Sequence, residues 1–187
     1  MRIRTVDGEG VRAYADGIGR VYTEAFTAPP WNEDPATAGR YAERLAADTA
    51  RPGFRAGLAL DEGGAVTGFA AAWTTPVPFP GDGTYGPVAE ALGPDRVREW
   101  LCGALKVDEL AVAPTARGTG TGGALLAAVT EDAPGGRCWL LSSLHAEAAL
   151  RFYRRAGWQR VPAPVPGRAG LVVLLGPHHP AGAALPR

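Results

Sequence analysis

Lysine is almost missing from this sequence. Of 19 basic residues only Lys106 is a lysine, and 19 acidic residues bring the formal net charge to zero. A chain without a basic excess gives no reason to expect nucleic acid or an anionic membrane as partner. Arginine in place of lysine, with abundant Ala, Gly and Pro, reads as high-GC bacterial coding rather than as a binding device. Cysteine is scarce too. Cys102 and Cys138 lie in apolar surroundings (REWLCGAL and GRCWLL) and form no C-x-x-C pair. They read as buried reduced thiols, and three histidines far from them offer no zinc set. No apolar run approaches the ~18–20 residues of a membrane span. The opening MRIRTVDGEG lacks the apolar centre of a secretion signal. The expectation is a cytoplasmic protein without a metal.

What is present is a globular composition, 46% hydrophobic over 187 residues, with 26 glycines and 17 prolines. That suits one domain, expected over 1–176, with a flexible tail at 177–187. Alternation predicts strands at Met1–Val6, Phe54–Leu60, Val66–Thr74, Leu105–Val112, Arg137–Leu141, Trp158–Val161 and Leu171–Leu175. Helical spacing predicts helices over Gly10–Phe26, Ala36–Ala50, Pro94–Ala104, Gly120–Glu131 and His145–Arg155. Asp34-Pro35 reads as an N-cap followed by proline at the first helical position. Gly157 reads as the residue that closes the last helix. Interleaved strands and helices give an α/β (α+β) class with a central mixed sheet. The Pro/Gly-rich connection around Pro76–Trp100 is long enough to suggest a functional insertion.

One stretch carries chemistry. ARGTGTGGALL, Ala116–Leu126, sets four glycines and an arginine before a helix. Glycine costs roughly 0.5–1 kcal/mol relative to alanine inside an element, so bare backbone must be needed there. Main-chain amides at a helix start bind anions. Gly118, Gly120 and Gly123 satisfy G-x-G-x-x-G, but no acid follows about 20 residues on for a ribose. A P-loop needs Gly-Lys-Ser/Thr, and the stretch has no lysine. A glycine-rich turn that merely packs helix on strand stays open on this stretch alone.

The flanks narrow the choice. Upstream stands VDELAVAPTARGTGTG; downstream, one strand later, stands ALRFYRRAGWQRV. Together they resemble the GCN5-related N-acetyltransferase (GNAT) superfamily, whose pattern is a strand, V-x-P-x-x-R-G-x-G-x-G, a helix, a strand, and a helix with F-Y-x-x-x-G-W/F. The resemblance covers Leu105–Val161. It implies a mostly antiparallel mixed sheet of about six or seven strands, splayed between the fourth and fifth and flanked by about four helices. It implies acetyl-CoA as co-substrate. Arg117, Gly118, Thr119, Gly120, Thr121, Gly122 and Gly123 would cradle the pyrophosphate. Leu110, Ala111 and Val112 would pair with the pantetheine arm, and the Val112 N–H would steady the developing oxyanion. Tyr153 would touch the cofactor and donate to the leaving thiolate. Asp108 or Glu109 would take the proton from the amine. In relatives with the base on this strand it often stands four positions before the valine, at Asp108. The sequence departs from the pattern where relatives often carry Asn seven residues before the tyrosine. Here that place is Ala146, and Ser142, Ser143 or His145 would substitute.

The acceptor is the least legible part. In this family its pocket draws on the loop between the first two helices and on variable connections, which here points to Phe26, Trp31, Phe79 and Tyr85. The resulting expectation is an N-acetyltransferase acting on the primary amine of a small molecule, by direct attack in a ternary complex, with a homodimer possible. Against it stand a non-catalytic acyl-CoA-binding module of the same fold, an aminoglycoside-type or protein N-terminal acetyltransferase, and a nucleotide-dependent enzyme.

Overall fold

The computed structural model describes residues 1–165 and 170–185. In chain order the elements are β1 (Arg2–Val6), α1 (Ala15–Phe26), α2 (Pro35–Gly39), α3 (Tyr41–Asp48), β2 (Arg55–Leu60), β3 (Val66–Thr74), α4 (Tyr85–Leu92), α5 (Pro94–Arg96), β4 (Leu105–Val112), α6 (Thr121–Thr130), β5 (Cys138–Ser143), α7 (Glu147–Arg155), β6 (Gln159–Pro164) and β7 (Leu171–Leu175). The chain divides into two compact units, Met1–Trp73 with Val107–Glu131, and Thr74–Lys106 with Asp132–Arg187. No described helix is long and apolar enough to cross a membrane.

The first unit orders its strands β1-β2-β3-β4. β1 pairs with β2, and β2 with β3, both antiparallel. On one face of these strands lies a core built from α1, α3 and the sheet: Ile18, Val21, Tyr22, Tyr41, Leu45, Leu58, Phe69 and Ala111 are all buried in it. Helix α6 covers the other face. A Cβ at Gly68 would come within 3.1 Å of both the Ala111 carbonyl and Leu125, so glycine there lets helix and sheet approach. The Asp34 cap forms as expected. Its carboxylate accepts from the Ala36 and Thr37 amides at 2.9 and 3.1 Å, with Pro35 at the first helical position. The expected Ala36–Ala50 helix is instead two helices that meet at Arg40, after Gly39.

The second unit orders its long strands β5-β7-β6, all antiparallel. Its core gathers Val88, Leu101, Trp139, Val161, Val173 and Leu175. The insertion is helical, as expected, and carries an element the sequence did not announce. Tyr85–Leu92 is an α-helix, closed by Gly93 at φ 76°. Val97–Leu101 is a π turn rather than α-helix, closed by the Cys102 N–H on the Val97 carbonyl at 3.0 Å.

The tail differs from the expectation over its described residues. Pro180–Ala184 is a 3-10 turn, and His179 is buried. The His179 Nδ1 accepts from the Ala181 amide at 3.2 Å, which leaves Nε2–H to donate to the Trp100 carbonyl at 3.0 Å. Ala181 and Leu185 pack against the second core. Pro186 and Arg187 lie outside the described residues.

Candidate active site

The glycine stretch opens with a short turn, Pro114–Ala116. Gly118 and Gly120 then take φ 77° and 84°, a region that side chains disfavour. Gly120 serves as N-cap of α6. A Cβ at Gly118, Gly120 or Gly123 would meet nothing within 4 Å, so no packing within the protein asks for glycine there. Positive φ and open space above the backbone suit a surface meant for a ligand. The α6 start has no side-chain cap and no acid in its first turn. Its amides and the helix dipole are therefore left for an anion.

The side chains around the loop have separate duties. Arg117 is exposed and donates from Nε to the Val112 carbonyl at 3.2 Å, which ties the loop to the end of β4. Thr119 donates to the Ala116 carbonyl at 2.8 Å and shares a 2.7 Å hydroxyl contact with Thr121. Thr121 is buried and turns its hydroxyl to the Met1 sulfur. Its side chain thus anchors the loop from inside.

On β4 the residues alternate between faces. Ala111 faces the α1/α3 core, so Glu109 shares that face, whereas Asp108, Leu110 and Val112 take the opposite register. Glu109 meets a charged and aromatic cluster. Arg44 of α3 lies 3.8 Å from Glu109 and 3.5 Å from Glu33. Arg44 donates to the Tyr22 hydroxyl at 2.7 Å, and that hydroxyl donates to Glu33 at 2.7 Å. The guanidinium lies 5.1 Å from the centres of both the Tyr22 and Tyr41 rings. Those rings stack at 3.9 Å, and the run continues through Phe26 (4.3 Å from Tyr22) to Trp31 (5.5 Å from Phe26). Burial, then the nearby Glu109, raises the Tyr22 phenol well above its ordinary range. Burial, Glu109 and Asp108 do the same to Tyr41. Burial alone would lower Arg44, but the Tyr22 hydroxyl and both glutamates outweigh it and hold it cationic.

Sequence reading missed Tyr22, Tyr41 and Arg44 as members of this cluster. A signal was available: Arg44 follows Tyr41 by three positions, where side chains on a helix meet.

In the second unit, Tyr153 lies on α7 with its ring 5.1 Å from Phe152 and 6.0 Å from Trp158. Ser142 is buried, and its hydroxyl has no hydrogen-bond partner. Such a group calls for an explanation, and a ligand is one. The Ser143 hydroxyl accepts from the His145 amide at 3.1 Å. His145 is exposed, and its ring lies against Gly170. Phe79 and Tyr85 meet at 5.1 Å, and both contact Trp139. Tyr85 is buried in the second core. The four aromatics expected to line an acceptor pocket thus fall into two groups, Phe26 with Trp31 and Phe79 with Tyr85.

A family model for the acetyltransferase (GNAT) domain matches residues 55–160, from β2 to the start of β6. The chain belongs to the GNAT acetyltransferase family. It is accordingly an acyltransferase. No protein of curated function matches the sequence. Solved structures share the GNAT fold. The histone acetyltransferase HPA2-related protein of Corynebacterium glutamicum is 20% identical, with 96% of this chain and 99% of that one covered and a TM-score of 0.62. For yncA of Salmonella typhimurium, solved with its cofactor acetyl-CoA, the figures are 18%, 94%, 91% and 0.58. For Naa20 of Chaetomium thermophilum, in complex with a bisubstrate analogue, they are 16%, 95%, 86% and 0.52. Among the described residues no three metal-ligating side chains form a group that could hold an ion.

Proposed function

We propose that this GNAT protein transfers the acetyl group of acetyl-CoA to the primary amine of a small, cationic acceptor that carries a ring or an apolar arm. The observation that carries this reading is the glycine loop. Positive φ at Gly118 and Gly120, open space above them and an uncapped α6 start form a cradle for a diphosphate. Acetyl-CoA supplies an activated acetyl thioester. The chain's part is to bind it through the amides from Arg117 to Gly123, with Ser142 and His145 in place of the absent Asn. Tyr153, through its motif, is the residue to hold a proton for the departing sulfur; an ordinary phenol stays protonated near neutral pH.

The acceptor class follows from the cluster beside Glu109. Trp31 is 38% exposed and leads inward through Phe26 to Tyr22 and Tyr41. Flat rings favour a ring or alkyl arm. Glu33, Glu109 and Arg44 sum to a negative charge, which favours an ammonium over a carboxylate.

Calorimetry with acetyl-CoA, wild type beside Gly120→Trp, tests the loop. Binding in the micromolar range, lost by at least about tenfold in the variant, supports it; that loss corresponds to about 1.4 kcal/mol. A folded wild type that ignores acetyl-CoA sinks the proposal. A thiol-release assay then compares phenethylamine with phenylalanine at equal concentration. Faster turnover of phenethylamine supports the cationic acceptor. Binding of acetyl-CoA without turnover of any amine points to an acyl-CoA-binding module.

A further inference from the structure

We propose that Arg44 is a positioning residue for acetyl transfer, holding the Glu109 carboxylate ionised and fixed on the aromatic face as the proton acceptor for the amine. The inference rests on the acetyltransferase reading and goes beyond it, because Arg44 lies outside Leu105–Val161, the stretch that carries the motifs.

The argument starts from geometry. Four side chains from four segments meet at one place: Tyr22 of α1, Glu33 of the following loop, Arg44 of α3 and Glu109 of β4. One cation touches all three partners, at 2.7, 3.5 and 3.8 Å. The phenol of Tyr22 bridges Arg44 to Glu33 by a second 2.7 Å bond. The guanidinium also lies over two stacked tyrosine rings. Such a fivefold restraint leaves a long side chain one place to be, which is what a support for a reacting group requires. The site is also wet enough for traffic. The Arg44 side chain is 42% exposed, Glu33 21% and Glu109 19%.

The chemistry gives the restraint a purpose. An acceptor amine arrives as an ammonium and must shed a proton before it can attack. A base must be ionised to accept it. When an apolar arm covers Glu109 and removes water, the carboxylate is pushed toward its neutral form, and a fixed cation opposes that push. Tyr22, Tyr41 and Glu33 face the pair, and Asp108 and Asp48 act on Tyr41 at longer range. Against these carboxylates stands the Arg44 guanidinium, 3.8 Å from Glu109 and 3.5 Å from Glu33, while Asp48 is paired with Arg51 at 2.6 Å. The first proton of the ammonium passes to Glu109 and on to solvent. The nitrogen lone pair forms the N–C bond with the acetyl carbon of acetyl-CoA. The C–S bond breaks with its electron pair on sulfur, and the surplus proton of the nitrogen ends on that sulfur.

Two measurements test this. The first needs no acceptor. Protein labelled with carbon-13 at the glutamate carboxyls is titrated by NMR, and Glu109→Gln assigns the resonance. Arg44→Leu should move the Glu109 midpoint up by about one pH unit, Arg44→Lys should restore most of the shift, and Tyr22→Phe should fall between. A midpoint that stays put in Arg44→Leu overturns the proposal while leaving the acetyl-CoA reading untouched. The second is the pH profile of kcat/KM with acetyl-CoA and phenethylamine. Glu109→Gln should lower it by about 10²-fold or more and erase the acid limb. Arg44→Leu should move that limb upward with a loss mainly in kcat, and Arg44→Lys should bring it back. An unchanged limb in Arg44→Leu, or wild-type turnover by Glu109→Gln, overturns the proposal.

Discussion

In each unit of this protein a cation lies against a pair of aromatic rings, Arg44 in one and Lys106 in the other, and the two settings differ in what surrounds the charge. In the first unit Arg44 lies over Tyr22 and Tyr41, half open to solvent, with Glu33 and Glu109 at its sides. In the second, Lys106 is 5% exposed and lies 5.1 Å from the Tyr85 ring and 5.8 Å from the Trp139 ring. Trp139 is fully buried and donates from its indole nitrogen to the Thr75 hydroxyl at 2.8 Å. Both use the attraction of a cation for a ring face. The first has carboxylates that reach solvent beside it, as a proton-transfer site requires. The second is closed by rings and strands, as a core requires. On the proposal made for Arg44, the same contact type serves turnover in one unit and stability in the other.

The largest test of that contrast is Trp139→Ala. It removes the biggest fully buried side chain and strands the Thr75 hydroxyl. A loss of about 3–5 kcal/mol in urea-induced unfolding is expected. A loss under about 1 kcal/mol would mean that the second aromatic cluster is not the structural one. The opposite result is expected on the other side. Arg44→Leu should cost only about 1 kcal/mol or less in the same assay, because half-exposed ion pairs contribute little, while it changes turnover. If both variants unfold the protein alike, the contrast fails.

Smaller still is Trp31→Ala. An exposed residue at the end of the ring run should change stability by about 0.5 kcal/mol or less. It should raise KM for phenethylamine several-fold and leave KM for acetyl-CoA alone, read in the thiol-release assay. Equal effects on both Michaelis constants would remove Trp31 from the acceptor side.

The contrast was only partly legible in the sequence. Local chemistry was readable wherever it rests on adjacent residues. Asp34-Pro35 gave the α2 start, and ARGTGTGG pointed to bare backbone ahead of a helix, where Gly118 and Gly120 take positive φ. The strand pattern placed all seven strands to within a few residues. What failed depends on distant partners or on composition. Helix α4 lies in a Pro/Gly-rich stretch whose Gly86 and Pro87 argue against a helix; burial of Tyr85, Val88 and Leu92 prevails over that propensity. The Tyr22–Glu33–Arg44–Glu109 cluster joins residues up to 87 positions apart in number, 109 less 22. No spacing rule reaches that far. Asp108 and Glu109 were separable only as facing opposite ways; which of them meets the aromatic face needed the Ala111 packing to decide.

The tail supplies the smallest effect, and it too separates a structural contact from a reactive one. Burial lowers the His179 pKa below its ordinary 6.5, and the nearby Arg137 adds to the shift, against a weaker upward pull from the Trp100 carbonyl. The folded ring is neutral, with Nδ1 accepting from Ala181. A proton on Nδ1 would face that N–H and break the bond. The unfolded chain therefore binds a proton more readily than the folded one. His179 contributes its stability above about pH 6.5 and loses it as pH falls through the lower folded value. Hydrogen exchange of the Ala181 and Gly182 amides should quicken, beyond its intrinsic pH dependence, as the pH is lowered from 7.5 to 5.5. His179→Gln should remove that excess. Acetyl-CoA binding at the glycine loop should not follow it. An Ala181 amide whose protection is flat across this range would show that the buried histidine does not hold the tail.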